Sequence, residues 1–330
     1  MFRVCFIGHY NLKHYDEGVR NVGFHLAEEM SNRHEVLKLD IKDMLKISRT
    51  VKKFNPEIIH YILSPTLIGL ISAKFFSALN PSAKSVISAP NPGYFPMGNW
   101  MSLFRPDLVL VQSRQSEMMF KSMGYKTKFL PNGVDIEKFV PVSESVKKRL
   151  RDKYNVDRDK FVVLHVGSIE KGRNLKVLKR VQEHGCQVIV VGSTTTNAEE
   201  KICRELKRSG CLVWIEYFRN IEEIYALSDA YIFPVNNRFS CIEMPLSILE
   251  AMSCNLPVIS TRFGALPRIF HEGGGLFYLE SEEDIIRTIE LINSCDIEVN
   301  TRRKVLPYSW ENVAKRLETI YCDLMNEEIQ

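Results

Sequence analysis

Short apolar runs alternating with helical patterns, repeated in both halves of the chain, limit the fold more than any other feature of the sequence. In the first half the runs lie at residues 3–8, 35–40, 57–63, 85–89, 108–112 and 126–130. In the second half they lie at 161–167, 187–191, 212–216, 231–235, 257–260 and 276–279. Runs this short and this apolar suit strands buried on both faces. Between the first two, Val19, Val22, Leu26 and Met30 mark one face of a helix. Strands that alternate with helices build a parallel sheet covered on both sides. The pattern predicts an α/β protein made of two such sheets.

The length agrees, because 330 residues exceed one ordinary domain and 45% hydrophobic residues can fill two cores. The charged stretch 141–160 reads as a linker with a short surface helix, and Asp157-Arg158-Asp159 within it as surface charge. No apolar run reaches spanning length, and the chain opens on a strand with no signal-peptide pattern, so a cytoplasmic protein is expected. Eight cysteines form no Cys-x-x-Cys pair, and several lie in apolar segments, which predicts reduced, buried thiols. Zinc-finger spacing and aromatic RNP patterns are absent from the sequence, so nucleic acid is not an expected partner. The net charge of +4 divides unevenly: residues 1–160 hold 25 Lys and Arg against 16 Asp and Glu. A basic first half suits an anionic partner or membrane surface, and chance variation between two solvated surfaces accounts for it equally well.

The chemistry concentrates in residues 242–261. Pro245 suits a first helical position, Leu246, Ile248, Leu249 and Met252 form an apolar side, and Asn255 and Pro257 end the helix before the strand at Val258. Free N–H groups near Leu246 and Ser247 would face an anion in front of this helix. Glu250, one turn inside, is placed to accept hydrogen bonds from ribose hydroxyls. An exposed helix glutamate is the ordinary alternative, but the apolar flanks argue that this helix is largely buried.

The segment resembles the donor-nucleotide segment of family 4 glycosyltransferases of the GT-B fold, where Glu-Gly-Phe-Gly precedes a helix ending Leu-Glu-Ala-Met-Ala-Cys-Gly-x-Pro-Val. Residues 249–258 follow that pattern closely. The family's first glutamate, which touches the donor sugar, falls at Ile242, and the nearest carboxylate is Glu243. A second resemblance runs from Leu108 through Gly124 to Pro131-Asn132-Gly133-Val134-Asp135 and Phe139; Asn-Gly alone reads as a turn whose residues tolerate positive φ. After the strand at 161–167 the family has Gly-Arg and then Lys-Gly, the Arg and Lys holding the diphosphate. Here Ser168 follows Gly167, Lys171 matches the lysine, and Arg173 offers the second cation. Phe218 and Arg219 resemble the nucleobase-lining segment, and Arg268 replaces a family glutamate. Near the start, only Gly18 matches the family's glycine pair, and the loop is not Gly-x-Gly-x-x-Gly, which disfavours a dinucleotide dehydrogenase. The Pro- and aromatic-rich segment 89–100 reads as an acceptor-side loop with Asn91 and Tyr94, or as packed structure, and lacks the histidine many relatives carry. His60 reads as a satisfied core residue.

The resemblance implies two Rossmann-like parallel-sheet domains facing across a cleft: an acceptor domain at 1–140, the linker 141–160, a nucleotide-sugar domain at 161–307, and a last helix at 308–330 packing back on the first. It implies a retaining glycosyltransferase, a hexosyltransferase, with Glu243, Lys171 and Arg173 as catalytic residues. Gly18, Gly167, Lys171, Arg173, Phe218, Arg219, Pro245, Leu246, Ser247 and Glu250 would bind the donor. No cofactor or metal is expected. The acceptor would be a glycan, a lipid-linked group or a small molecule; the basic first half adds an expected peripheral contact with the inner face of an anionic membrane. A sugar-nucleotide epimerase of the same fold and a catalytically degenerate nucleotide-sugar-binding protein stand as alternatives.

Overall fold

The computed structural model describes residues 1–10, 18–41, 44–62, 71, 74–75, 77–78, 80–91, 105–294 and 297–326. The chain divides into two compact units. The first holds Met1–Gly133, Cys241–Met244 and Trp310–Gln330; the second holds Val134–Ser240 and Pro245–Ser309.

In the first unit, β1 (Arg3–Gly8), β2 (Glu35–Asp40), β3 (Ile58–Ile62), β4 (Lys84–Ser88), β5 (Leu108–Val111) and β6 (Thr127–Phe129) form one sheet in the order β2-β1-β3-β4-β5-β6. All its ladders are parallel. β3 and β5 are buried throughout, as a sheet covered on both faces requires, while β2 at the edge is only partly covered. Helix Gly18–Ser31 buries Val22, Leu26 and Met30, the helical spacing expected. Helix Trp310–Asn326 clusters with this unit and buries Trp310, Val313, Leu317, Tyr321 and Leu324. The reduced-thiol expectation suits Cys5, enclosed in β1, where burial pushes the thiol up to about 12.

In the second unit, β7 (Val162–Val166), β8 (Gln187–Val191), β9 (Leu212–Trp214), β10 (Ala230–Phe233), β11 (Val258–Ser260) and β12 (Leu276–Tyr278) form a parallel sheet in the order β12-β11-β10-β7-β8-β9. Val163, Val188, Val190, Ile232 and Ile259 form its core with Leu178, Val181 and Leu206 from flanking helices. Strands run outward in both directions from β7, so the strand order reverses between β7 and β10. Crevices at such reversals, beyond the strands' carboxyl ends, are where open α/β sheets bind ligands.

The stretch read as linker clusters with the second unit and carries helix Glu144–Lys153. Its Arg151 is not solvated. Nη2 meets Asp229 Oδ2 at 2.5 Å, Nε donates to the Leu227 carbonyl, and Nη1 donates to the carbonyls of Arg158 and Lys160. Asp229 also accepts from the backbone N–H of Val162 at the start of β7. A charged sequence here conceals a partly buried ion pair that fixes the entry to the sheet.

Candidate nucleotide-binding site

The crevice in the second unit starts where β7 and β10 part. They pair at Ala230 with Val163 and at Tyr231 with Leu164. Beyond that ladder, the His165 side chain takes the next bond: Nδ1 lies 2.9 Å from the Ile232 carbonyl. The Tyr231 hydroxyl bridges the parted elements, lying 3.3 Å from the Val166 carbonyl and 2.7 Å from Ser247 Oγ. Ser247 stands in the first turn of helix Leu246–Ser253, so this tyrosine ties the end of β7 to that helix's N-terminus.

The helix forms as its apolar residues require, with Ile248, Leu249, Ala251 and Met252 buried. Pro245 is its N-cap rather than its first residue, with extended ψ of 126°. The C-terminal stop is Asn255, at φ 57°, in the left-handed conformation that usually selects glycine. Asn255 Nδ2 donates to the Val299 carbonyl, and its Oδ1 accepts from the N–H of Arg302. Arg302 in turn donates to the Ser253 carbonyl at the helix's negative end.

Arg173 comes from the short turn Lys171–Arg173 after β7 and is buried. Its Nη1 lies 2.3 Å from where a Cβ on Gly167 would stand, so only glycine, here at φ 152°, lets the guanidinium lie against the end of β7. Arg173 thus reaches the strand end beside Ser168, where the resembling family places its arginine. Its Nε faces Glu170 Oε1 at 3.3 Å. Gly172 likewise admits the loop at Asn237 and Ser240, whose Oγ would lie 2.0 Å from its Cβ. Lys171 is exposed; its backbone N–H donates to Glu199.

Glu250 is half-buried, and its Oε2 accepts from the Tyr225 hydroxyl at 2.6 Å. Oε1 accepts from no described residue. Burial pushes the carboxyl above its ordinary pKa, against the Tyr225 hydrogen bond and the Lys138 charge, both of which lower it. Leu246 and Ser247 are half-buried at the same helix end. Phe218 is half-buried in an aromatic group with Trp214 and Tyr154, centroids 5.5 and 6.2 Å away, and the neighbouring Arg219 is exposed. Arg173, Gly167, Ser247 and Glu250 therefore belong to one neighbourhood through Tyr231 and the helix, while Phe218 and Arg219 lie after β9.

The first unit holds the remaining expected residues, and one has a different duty. Glu243 is buried, 2% exposed. One oxygen accepts from the Ser113 N–H at 3.0 Å; the other accepts from Ser113 Oγ at 2.6 Å and Ser116 Oγ at 2.5 Å. Ser113 is the N-cap of helix Arg114–Ser122, accepting from the Ser116 N–H. Glu243 extends that cap with its charge at the helix's positive end. Both carboxylate oxygens are engaged, so the donor-sugar contact expected of Glu243 gives way to a structural one. Gly18 opens helix Gly18–Ser31, and a Cβ there would stand 2.9 Å from Ile242 Cδ1, so its role is close packing. Asn91 is half-buried; Tyr94 lies outside the described residues.

Neither Asn132 nor Gly133 takes the positive φ that an Asn-Gly pair tolerates. The Asn132 side chain is buried, accepts from Gln112 Nε2 at 2.6 Å and donates to the Met244 carbonyl at 2.7 Å. A Cβ on Gly133 would stand 2.6 Å from the Trp310 ring. The motif clamps the 241–244 segment and the last helix to the first unit. His60 is satisfied on both nitrogens, by Tyr321 and Ser88 hydroxyls at 2.6 and 2.8 Å. The sequence reading missed His165 and Tyr231. A histidine inside an otherwise apolar strand, two residues before a glycine, was the available signal.

This architecture is that of GT-B glycosyltransferases. Anabaena HepE in complex with UDP superposes with a TM-score of 0.76 at 14% identity, over 97% of this chain and 100% of that one. Residues 160–293, which include the crevice, match the family described as Glycosyl transferases group 1. An uncharacterized glycosyltransferase of Methanocaldococcus jannaschii is 28% identical over 175 residues, 49% of this chain and 41% of that protein. The Escherichia coli UDP-Gal:alpha-D-GlcNAc-diphosphoundecaprenol alpha-1,3-galactosyltransferase is 24% identical over 87% of this chain and 80% of its own. The chain spans about half the length, or less, of the first curated relatives it matches.

Proposed function

We propose that the chain is a retaining family 4 glycosyltransferase that moves a sugar, a hexose by resemblance, from a nucleotide-diphosphate donor to a glycan, lipid-linked or small-molecule acceptor. The observation that carries this reading is the crevice where Arg173 lies on Gly167 and Tyr231 ties β7 to the first turn of helix Leu246–Ser253. A diphosphate there meets a guanidinium fork and unpaired helix amides, and Glu250 Oε1 accepts from the ribose. As the sugar leaves, charge grows on the diphosphate, and Arg173, Lys171 and the helix N-terminus stabilise it. Those charges replace a divalent metal. No side chain is assigned as a nucleophile, so the acceptor attacks on the face the diphosphate leaves.

The name of the Escherichia coli relative supports a lipid-linked acceptor. The proposal includes a cytoplasmic location and a peripheral position at the inner membrane face. Engagement of Glu243 favours a second reading, a catalytically degenerate nucleotide-sugar-binding protein. An epimerase has no support among the relatives named above.

The test is donor turnover. Purified protein is incubated with UDP-, GDP- and ADP-sugars in EDTA, and nucleoside diphosphate release is followed. Slow release from one donor, with the freed sugar unchanged at C2, is expected. Binding without turnover, even with lipid-linked and glycan acceptors, would move the assignment to the degenerate reading. Release only after magnesium or manganese is restored would overturn the metal-free mechanism.

A further inference from the structure

His165 is a buried polar group that the site as described leaves without a task. It is fully enclosed in β7, its ring nearly parallel to those of Tyr231 and Phe233, with centroids 6.4 and 6.2 Å away. Its Nδ1 faces a carbonyl oxygen, which can only accept, so Nδ1 carries a hydrogen. Burial, with the nearby Arg173 charge adding to it and the Ile232 hydrogen bond opposing it, holds the imidazole neutral, its pKa pushed down to about 4. Nε2 is then a bare lone pair, and no described residue donates to it. Buried acceptors are seldom left this way, because their lost hydration is uncompensated.

The matching donor is close. Arg173 Nη1 and His165 Nε2 both lie near one point, the place a Cβ on Gly167 would take, at 2.3 and 3.6 Å. Among the described residues, the Arg173 side chain makes one hydrogen bond, from Nε to Glu170 at 3.3 Å. Its two Nη groups donate to no described residue, so the single Nε bond is all that orients the fork by hydrogen bonding. A lone pair aimed at phosphate oxygens would repel them, whereas a guanidinium donates to both.

We propose that His165 is a positioning residue for the donor diphosphate: when diphosphate binds, the Arg173 guanidinium turns to donate to Nε2, which fixes the plane in which the fork grips phosphate. The inference rests on reading the crevice as a nucleoside-diphosphate site. Lysine could not replace this arginine, because a point charge has no plane to fix. Gly167 serves the pair by leaving room for both groups to converge.

Calorimetric titration of the full chain with UDP, GDP and ADP tests this, with the nucleoside of whichever binds as the phosphate-free control. The variants are His165→Asn, Arg173→Gln and the double variant. Asparagine can keep an N–H on the Ile232 carbonyl while removing the Nε2 acceptor. His165→Asn should weaken the diphosphate about tenfold and leave the nucleoside within about twofold. In the Arg173→Gln background it should cost nothing further. Melting temperatures are read alongside, because a merely structural histidine would weaken both ligands or neither. Arg173→Lys should show the same selective loss, which keeps the test open should His165→Asn not fold. Wild-type diphosphate affinity in a folded His165→Asn protein, additive losses in the double variant, or unchanged binding in Arg173→Lys would each overturn the inference. So would proton uptake on diphosphate binding, seen with buffers of different ionisation enthalpy and absent in His165→Asn, since His165 would then meet phosphate itself. A wild type that binds none of the three diphosphates would instead remove the functional reading beneath it.

Discussion

Two enclosed imidazoles, His60 in the first unit and His165 in the second, each make the folded chain less stable in acid. Burial pushes His60 down to about 3 and His165 to about 4. Below about pH 6.5 the unfolded chain protonates these residues while the folded chain does not. The unfolded state then binds more protons, so stability falls as pH falls through that window, by at most about 1.4 kcal/mol per pH unit for each residue. We predict that unfolding free energy declines between pH 6.5 and 4 and that His165→Asn flattens the slope; an unchanged slope in the variant would place the loss elsewhere. The sequence made the environment of His60 readable, because it lies in an apolar strand. It could not show that His165 replaces a strand-to-strand bond, since that depends on where two distant strands part. Asn132 was legible as part of a motif, but its contacts were not, because its partners Gln112 and Met244 come from other parts of the chain.

Among elements, helix Arg114–Ser122 depends on a residue far along the chain. Its N-terminus is closed by Ser113 and by the buried carboxylate of Glu243. Losing charge-assisted bonds from a buried helix end costs about 1.5–3 kcal/mol. Glu243→Ala should therefore lower unfolding free energy by about that much in urea titrations, while the nucleoside affinity of the folded fraction stays near wild type. A variant as stable as wild type but unable to turn over donor would restore the catalytic role that its resemblance implied. The strands were legible from apolar runs, with ends that differ from the ladders by one or two residues because apolar character does not mark where backbone pairing stops. The 141–160 stretch was harder, because Arg151 and Asp229 look solvated until the sheet that buries them is assembled.

For the molecule as a whole, charge suggests where it works. Among the basic residues of segment 42–53, Arg49, Lys52 and Lys53 are exposed on or beside the last turns of helix Met44–Phe54. Each basic residue near an anionic leaflet is worth about 1 kcal/mol. We predict that the protein sediments with anionic vesicles at low salt more than with neutral ones, and that neutralising Lys42, Lys46, Arg49, Lys52 and Lys53 removes the difference. Equal recovery with both vesicle types would leave the segment as an ordinary solvated face. No described helix is long and apolar enough to cross a membrane.

We propose that the second unit grips a nucleoside diphosphate, with Glu250 on the ribose and Arg173 on the phosphates. Binding titrations of wild type, Glu250→Ala and Arg173→Gln with a diphosphate and its nucleoside test it most directly. Glu250→Ala removes charge-assisted bonds worth about 1.5–3 kcal/mol, so both ligands should weaken roughly ten- to hundredfold. Arg173→Gln should weaken the diphosphate and spare the nucleoside. A folded Glu250→Ala protein that binds every nucleotide as tightly as wild type would contradict the account.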